Sequence, residues 1–359
     1  MKAAKKSDAK KPHINGVIKF LKTSSIEWPE YITELNLSNS KIRWQEENIK
    51  FPPNVMDLNI SHNELTEVPS AVLNLEKLKN LDISYNIITY FDEYPKFCHA
   101  IEVLNLSHNN LHGPPYWVWT GAPIKLTNIN LGFNYNLRKS FECSYFEELL
   151  QYTTQLINIK INNCSLTQHL KLLITLPKAK VLELGSSTLS LFSMNRIHEV
   201  PCEELKKCCD MERLNLSNVQ LYTIKNNIDI LSKLVEINLS HNEISNIPDE
   251  FCNLEHLEIC NLSYNHILYL PDNISKLGRL VSLQINSNEL CMLPESISEL
   301  KKLQILDLYD NSLYEIPDGL KNIAEIDLAQ NYFDEPEELN YLEKRDRLRL
   351  SVPDRFNGK

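Results

Sequence analysis

One short pattern recurs along this chain and leaves little freedom in how it folds. It reads leucine, two variable residues, leucine, one variable, leucine, two variable, asparagine, one variable, leucine. Leu303, Leu306, Leu308, Asn311 and Leu313 spell out one copy in full. Copies begin at Ile32, Val55, Leu78, Ile101, Leu126, Leu156, Ala179, Met211, Leu234, Leu257, Leu280, Leu303 and Ile323, most of them 23 residues apart. A period of this length belongs to stacked units, none of which buries its apolar face alone. The expected fold is therefore an α/β repeat solenoid. A horseshoe is predicted, with a parallel sheet on its concave side and mostly short 3₁₀ or extended segments on its convex side. At about 4.8 Å per strand, such a sheet runs through an arc of roughly 60 Å.

The pattern also predicts how the turns are held. The asparagine stands where the chain bends inward, and its amide serves backbone groups that would otherwise be buried without partners. These positions are Asn63, Asn86, Asn109, Asn134, Asn242, Asn265, Asn288, Asn311 and Asn331. Several copies continue with an apolar residue, a proline and apolar residues at every third place, as in Leu290, Leu293, Pro294, Ile297, Leu300 and Leu303. Three-residue spacing with proline suits 3₁₀ or extended backbone better than a long helix.

The chain divides around this core. Residues 1–12 form a lysine-rich tail expected to be disordered, and 13–31, with Val17, Ile18, Phe20 and Leu21, an N-terminal cap. The solenoid spans 32–333, and 334–359 form a C-terminal cap and tail in which Pro336 opens a helix carrying Leu339 and Leu342. Open ends of a solenoid expose apolar side chains and strand edges, hence the caps. Two long repeats, 126–155 and 179–210, interrupt the middle, and Cys164, Ser187 and Val219 stand at asparagine places. Their extra residues, around Ser144–Leu150 and Pro201–Cys208, read as helical additions to the convex side that alter local curvature.

The net charge of −10 disfavours nucleic acid as the main partner. The basic residues concentrate in the tail at Lys2, Lys5, Lys6, Lys10 and Lys11, which leaves the body more acidic still. No apolar run is long enough to span a membrane, and no apolar signal stretch follows the basic start. The nine cysteines are odd in number and scattered, and Cys260 takes the place of a repeat leucine. These observations lead to the expectation of reduced thiols in a cytoplasmic protein.

Candidate chemistry is sparse. Ser61-His62-Asn63, Ser107-His108-Asn109 and Ser240-His241-Asn242 place a hydroxyl beside an imidazole, yet Ser84-Tyr85-Asn86 and Ser263-Tyr264-Asn265 fill the same places. The triplets thus follow the repeat rather than a reaction. His198, Cys202, Cys208 and Cys209 could be drawn as metal ligands, but adjacent cysteines make poor tetrahedral geometry and no CxxC pair supports them. Asn-x-Ser sequons at Asn36, Asn59, Asn105, Asn215, Asn238 and Asn261 arise from the strand motif and matter only in a secreted protein. Ile18-Lys19-Phe20 resembles a phosphatase-docking triplet without its preceding basic residue, and cap packing accounts for it. Neither an enzyme nor a bound cofactor or metal is expected.

What remains is surface. The variable strand positions hold Glu34, Asp57, Asp82, Glu102, Glu183, Glu212, Glu236, Glu258, Asp307, Glu325 and Asp327 against Lys79, Lys160, Lys180 and Arg213, so a basic partner would be steered to the concave side. Two sets offer larger anchors. One is the row before the asparagine, His62, Tyr85, His108, Phe133, His241 and Tyr264, and the other is the outward apolar set Val235, Ile259, Val281 and Ile305.

Over residues 14–350 the pattern resembles the leucine-rich repeat family. The 23-residue version with leucine-proline on the convex side is similar to intracellular scaffolds of the Ras–MAP-kinase scaffold, Ras-suppressor and Scribble/Erbin types. Val17-Ile18-Lys19 is similar to their cap helix. The resemblance implies a non-catalytic signalling scaffold or adaptor that binds a protein partner on its concave face. It also implies a small GTPase or a protein-phosphatase catalytic subunit as candidate partners. Two alternatives stay open: a secreted or receptor-associated ligand-binding protein, and the substrate-recognition subunit of a phosphatase or ligase complex.

Overall fold

The computed structural model describes residues 31–40, 50–137, 144–167, 170–186, 194–320 and 323–333. The expected caps and tails at 1–30 and 334–359 lie outside the described residues. Among the described residues, thirteen strands form one parallel sheet in strict chain order, from β1 (Glu34–Asn36) to β13 (Glu325–Asp327), as the count of repeats predicts. Each strand is three residues long because only its middle side chain turns inward. Leu58, Leu81 and Leu104, from β2 (Asp57–Asn59), β3 (Asn80–Asp82) and β4 (Val103–Asn105), sit in register and are buried. The following leucine of each copy is buried too, as Ile60, Ile83 and Leu106 show, so one continuous apolar core runs the length of the sheet. Ile32 and Phe333 pack against its two ends.

The convex side is built as the three-residue spacing predicts. In the repeat after β11 (Ser282–Gln284) the Ile297 amide donates to Pro294, Leu300 to Ile297 and Leu303 to Leu300, at 3.0–3.2 Å. Each of these i→i+3 bonds turns the next apolar residue back onto the core. Short 3₁₀ segments recur at Asp249–Asn253, Ile274–Lys276 and Glu295–Glu299, with brief α-turns at Ser70–Leu73, Tyr116–Thr120 and Cys202–Leu205.

The two long repeats differ from each other, and one departs from expectation. In 126–155 the extra residues follow Asn134 and include the eight-residue 3₁₀ helix Ser144–Gln151, on the convex side as expected. In 179–210 they do not. The Asn195 amide donates to Leu184 O at 2.7 Å, a separation of 11 residues where regular asparagines reach back three. The additional residues therefore fall in the sequence between β7 (Val181–Glu183) and the asparagine, ahead of the bend, and the described convex segment holds the short Cys202–Leu205 helix. The backbone requires a side-chain amide at that bend, and the chain inserts residues ahead of it rather than lose it.

Candidate protein-binding surface

Most repeats turn off their strands through the same two devices. The last strand residue accepts a hydrogen bond from the backbone two residues on: Asn59 Oδ1 takes Ser61 N at 2.9 Å and Ser61 Oγ at 2.7 Å. Asn36, Asn105, Asn215, Asn238 and Asn261 do the same with the amides of Ser38, Ser107, Ser217, Ser240 and Ser263. This Asx turn is the physical reason for the recurring Asn-x-Ser sequons. The second device is the ladder asparagine. Asn265 Nδ2 donates to Leu239 O, Leu262 O and Ser263 O at 2.9–3.3 Å, while its Oδ1 accepts Ile244 N of the preceding repeat at 3.0 Å. Asn63, Asn86, Asn109, Asn134, Asn242, Asn288, Asn311 and Asn331 repeat this arrangement.

Asn195 joins that ladder although its register hides it in the sequence. It donates to Ile161 O and Leu184 O and accepts Cys164 N and Leu166 N at 2.7–3.1 Å. The signal that could have revealed it is Asn195-Arg196-Ile197, the asparagine half of the motif with Ile197 buried. Cys164, which stands at an asparagine place, donates its thiol to Leu131 O at 3.2 Å and so keeps one bond of the ladder.

Between these devices lies a row of residues with left-handed backbone. His62, Tyr85, His108, Phe133, His241 and Tyr264 all have φ of 53–60°. That conformation sends each amide to the next repeat, as His62 N does to Ser84 O at 3.0 Å. It costs a residue with a Cβ about 1–2 kcal/mol. The rings offset part of that cost by stacking, a gain of about 0.5–1.5 kcal/mol per pair. His62, Tyr85, His108 and Phe133 form one column with centroids 3.9–4.1 Å apart and planes within 11°. His241 and Tyr264 make a second stack at 4.2 Å. Burial holds the His108 and His241 imidazoles below their ordinary value, and His62 adds to the effect at His108.

The triplets do not assemble into catalytic groups. Ser61 is buried and bonded to Asn59, His62 lies in the ring column, and Asn63 faces the core. His198 stacks edge-on against Tyr222, whereas Cys202 and Cys208 are buried and Cys209 is exposed. Burial pushes the Cys202 and Cys208 thiols up to about 12 and about 11.

The concave acids fall into three groups. Asp307 and Asp327 are only 2% and 3% exposed and accept the amides of Tyr309 and Ala329. The expectation that Asp307 presents charge to a partner is therefore corrected: it has become an Asx-turn residue, as Asn59 is, with a carboxylate in place of the amide. A second group is already engaged. Glu102 pairs with Lys79 at 3.2 Å, Glu212 with Lys180 at 2.7 Å, and Asp57, Asp82 and Glu183 accept from Asn80, Ser84 and Asn215. The third group, Glu34, Glu236, Glu258 and Glu325, forms no ion pair among the described residues, and neither does the exposed Arg213.

The apolar set is not a single column. Ile259 and Ile305 share a register with Ser282 between them, while Val235 and Val281 stand one residue earlier in the chain, flanking Glu258. The four zigzag across two columns, and Ile259 is exposed while the other three are half-buried.

Comparison with known proteins agrees with this architecture. Residues 53–111 match the family described as Leucine rich repeat, and residues 233–254 and 302–323 match a second description, Leucine Rich Repeat. A leucine-rich repeat protein from Leptospira interrogans is 26% identical, with a TM-score of 0.63 over 86% of this chain and 81% of its own. This chain carries leucine-rich repeats. Its fold is also similar to an internalin (inlF) from Listeria monocytogenes, at 19% identity and a TM-score of 0.66 over 89% of this chain and 88% of that one. A chain of the Toll–Spatzle complex of Drosophila reaches a TM-score of 0.58 at 19% identity, over 78% of this chain and 42% of that one. No curated protein sequence matches. Leucine-rich repeats of this kind are built as protein-binding modules, and the family matches fall on the regular repeats at either side of the irregular middle.

Proposed function

We propose that this leucine-rich repeat chain is a non-catalytic scaffold or adaptor in signalling, and that it holds a protein partner on its concave sheet inside the reducing cytoplasm. The observation that carries this reading is the concave face around β9 (Glu236–Asn238) and β10 (Ile259–Asn261). There Glu236 and Glu258 stand unpaired among the described residues beside the exposed Ile259, and no lysine or arginine occurs from residue 234 to 275. An apolar anchor flanked by two acids that form no ion pair, with Arg213 in register beside Glu236 as the one neighbouring cation among the described strands β8 (Arg213–Asn215) to β10, suits a partner whose rim is mainly basic. A protein of similar fold is part of the Toll–Spatzle complex. The eight described cysteines are all free, which suits a reducing compartment. Small GTPases and protein-phosphatase catalytic subunits, the partners implied by the sequence resemblance, are the first to test.

The experiment is affinity capture with the full-length chain, identification of what is retained, and titration of the purified partner against Glu236→Lys/Glu258→Lys. The double variant should bind about ten-fold more weakly, roughly 1.4 kcal/mol, with an unchanged melting curve. Equal affinity would move the partner off this face.

A further inference from the structure

The exposed apolar side chains of this molecule do not concentrate on the concave sheet. Among the described residues Val103 and Ile259 are the large exposed ones on strands, whereas ten others lie on the flank where the chain leaves each strand. On the C-terminal half that flank carries Tyr222, Leu268, Tyr269, Met292 and Tyr314, all exposed. Tyr269 and Met292 are one repeat apart, so they occupy equivalent places on adjacent turns. Between them runs an open groove walled by Ile247, Tyr269, Leu270, Pro271, Met292 and Pro294, with Asp249 and Asp272 in its lining.

Backbone hydrogen bonds join the turns that wall the groove. Successive turns are tied by His266 N to Ile244 O at 2.9 Å, Cys291 N to Leu268 O at 3.3 Å and Ser312 N to Leu290 O at 2.9 Å. Its two aspartates are anchored through their backbone, since Asp272 O accepts Ser296 Oγ at 2.6 Å and Asp249 O accepts Asn273 Nδ2 at 3.5 Å. Neither carboxylate meets a cation among the described residues. Charge around the groove is one-sided. Residues 234–320 hold fourteen acids against Lys276, Arg279, Lys301 and Lys302, and all four of these cations fall in the 3₁₀ segments or the turns that follow them.

We propose that this flank groove is a second docking site and that its occupant is a basic amphipathic segment of a protein partner, with Lys or Arg alternating with large apolar side chains. The apolar side chains enter between Tyr269 and Met292, where an aromatic ring and a thioether adapt to varied shapes. The cations meet Asp249 and Asp272. The site stands apart from the concave reading, and either can fail alone.

The test is fluorescence anisotropy of the full-length chain with three labelled peptides at physiological salt. The first alternates Arg with Leu and Trp, the second replaces every Arg by Glu, and the third replaces every Leu and Trp by Ser. The first peptide alone should bind saturably. Tyr269→Ser/Met292→Ser and Asp249→Lys/Asp272→Lys, all at exposed positions or groove walls, should each weaken it about ten-fold, and Glu236→Lys/Glu258→Lys should leave it within about two-fold. Thermal melts would establish that both groove variants are folded. Absent or non-saturable binding of the first peptide overturns the proposal, as does equal binding of either control peptide or a loss confined to the concave variant. Sedimentation that shows a dimer dissolved by the groove variants assigns the groove to a second copy and overturns it equally.

Discussion

At the residue scale, side-chain identity in this chain answers to backbone first. The row before the ladder asparagine is left-handed in every regular repeat, and the rings there stack because the repeat brings equivalent positions into line. His108 sits between Tyr85 and Phe133, and its depressed pKa has a consequence for stability. The unfolded imidazole, near 6.5, binds a proton more readily than the folded one. Stability from this group is thus present above that value and is lost as the pH falls through it. Thermal melts between neutral pH and about pH 5 should show the wild type losing melting temperature more steeply than His108→Phe or His241→Phe. Phe133 already occupies this backbone conformation, so the substitution fits. Thiols follow the same logic of position. Burial pushes Cys164 and Cys252 up to about 12 and places Cys98, Cys202, Cys208 and Cys260 in the core, while Cys209 is exposed and Cys291 half-buried. Among the eight described cysteines, native alkylation read by peptide mass spectrometry should therefore label Cys209 first and Cys291 next, with these six buried thiols reacting only on unfolding.

At the scale of the repeat, the element is held by amides rather than by helix or strand propensity. Three-residue strands have little stability of their own, and each is fixed by its core leucine and by the asparagine of the following copy. Asn265→Ala strands three carbonyls and one amide and should lower stability by about 1–3 kcal/mol, read from the midpoint of urea unfolding. Asn195→Ala should cost about as much, on the order of 1–3 kcal/mol, because it serves four backbone groups as well. A neutral Asn195→Ala would show that the long repeat is held some other way. Glycine is demanded at Gly185 by the same crowding: a Cβ there would lie 2.5 Å from Asn215 Oδ1 and 2.6 Å from Ser217 N. The sequence showed that this repeat was long without showing where its extra residues go. Spacing counts residues between leucines, and only the hydrogen bonds of Asn195 show that the ladder asparagine of this repeat stands 11 residues past Leu184.

At the scale of the molecule, repetition made the architecture legible from the chain alone. Thirteen copies became thirteen strands in order because each copy can bury its leucines only against its neighbours. The nine expected ladder asparagines, the convex 3₁₀ spacing and the ring row all took their places for the same reason. Surface chemistry was not legible in that way. Whether Asp307 faces a partner or its own backbone, whether Glu102 is available or paired with Lys79, and whether four apolar strand residues share a column all turn on neighbours in adjacent repeats. So does the groove between Tyr269 and Met292, whose walls come from separate turns. Local periodicity by itself determined the fold, because burying a periodic apolar set has one economical solution. The availability of each polar group was decided only by the tertiary structure, because exposure and pairing belong to contacts between copies and not to position within one.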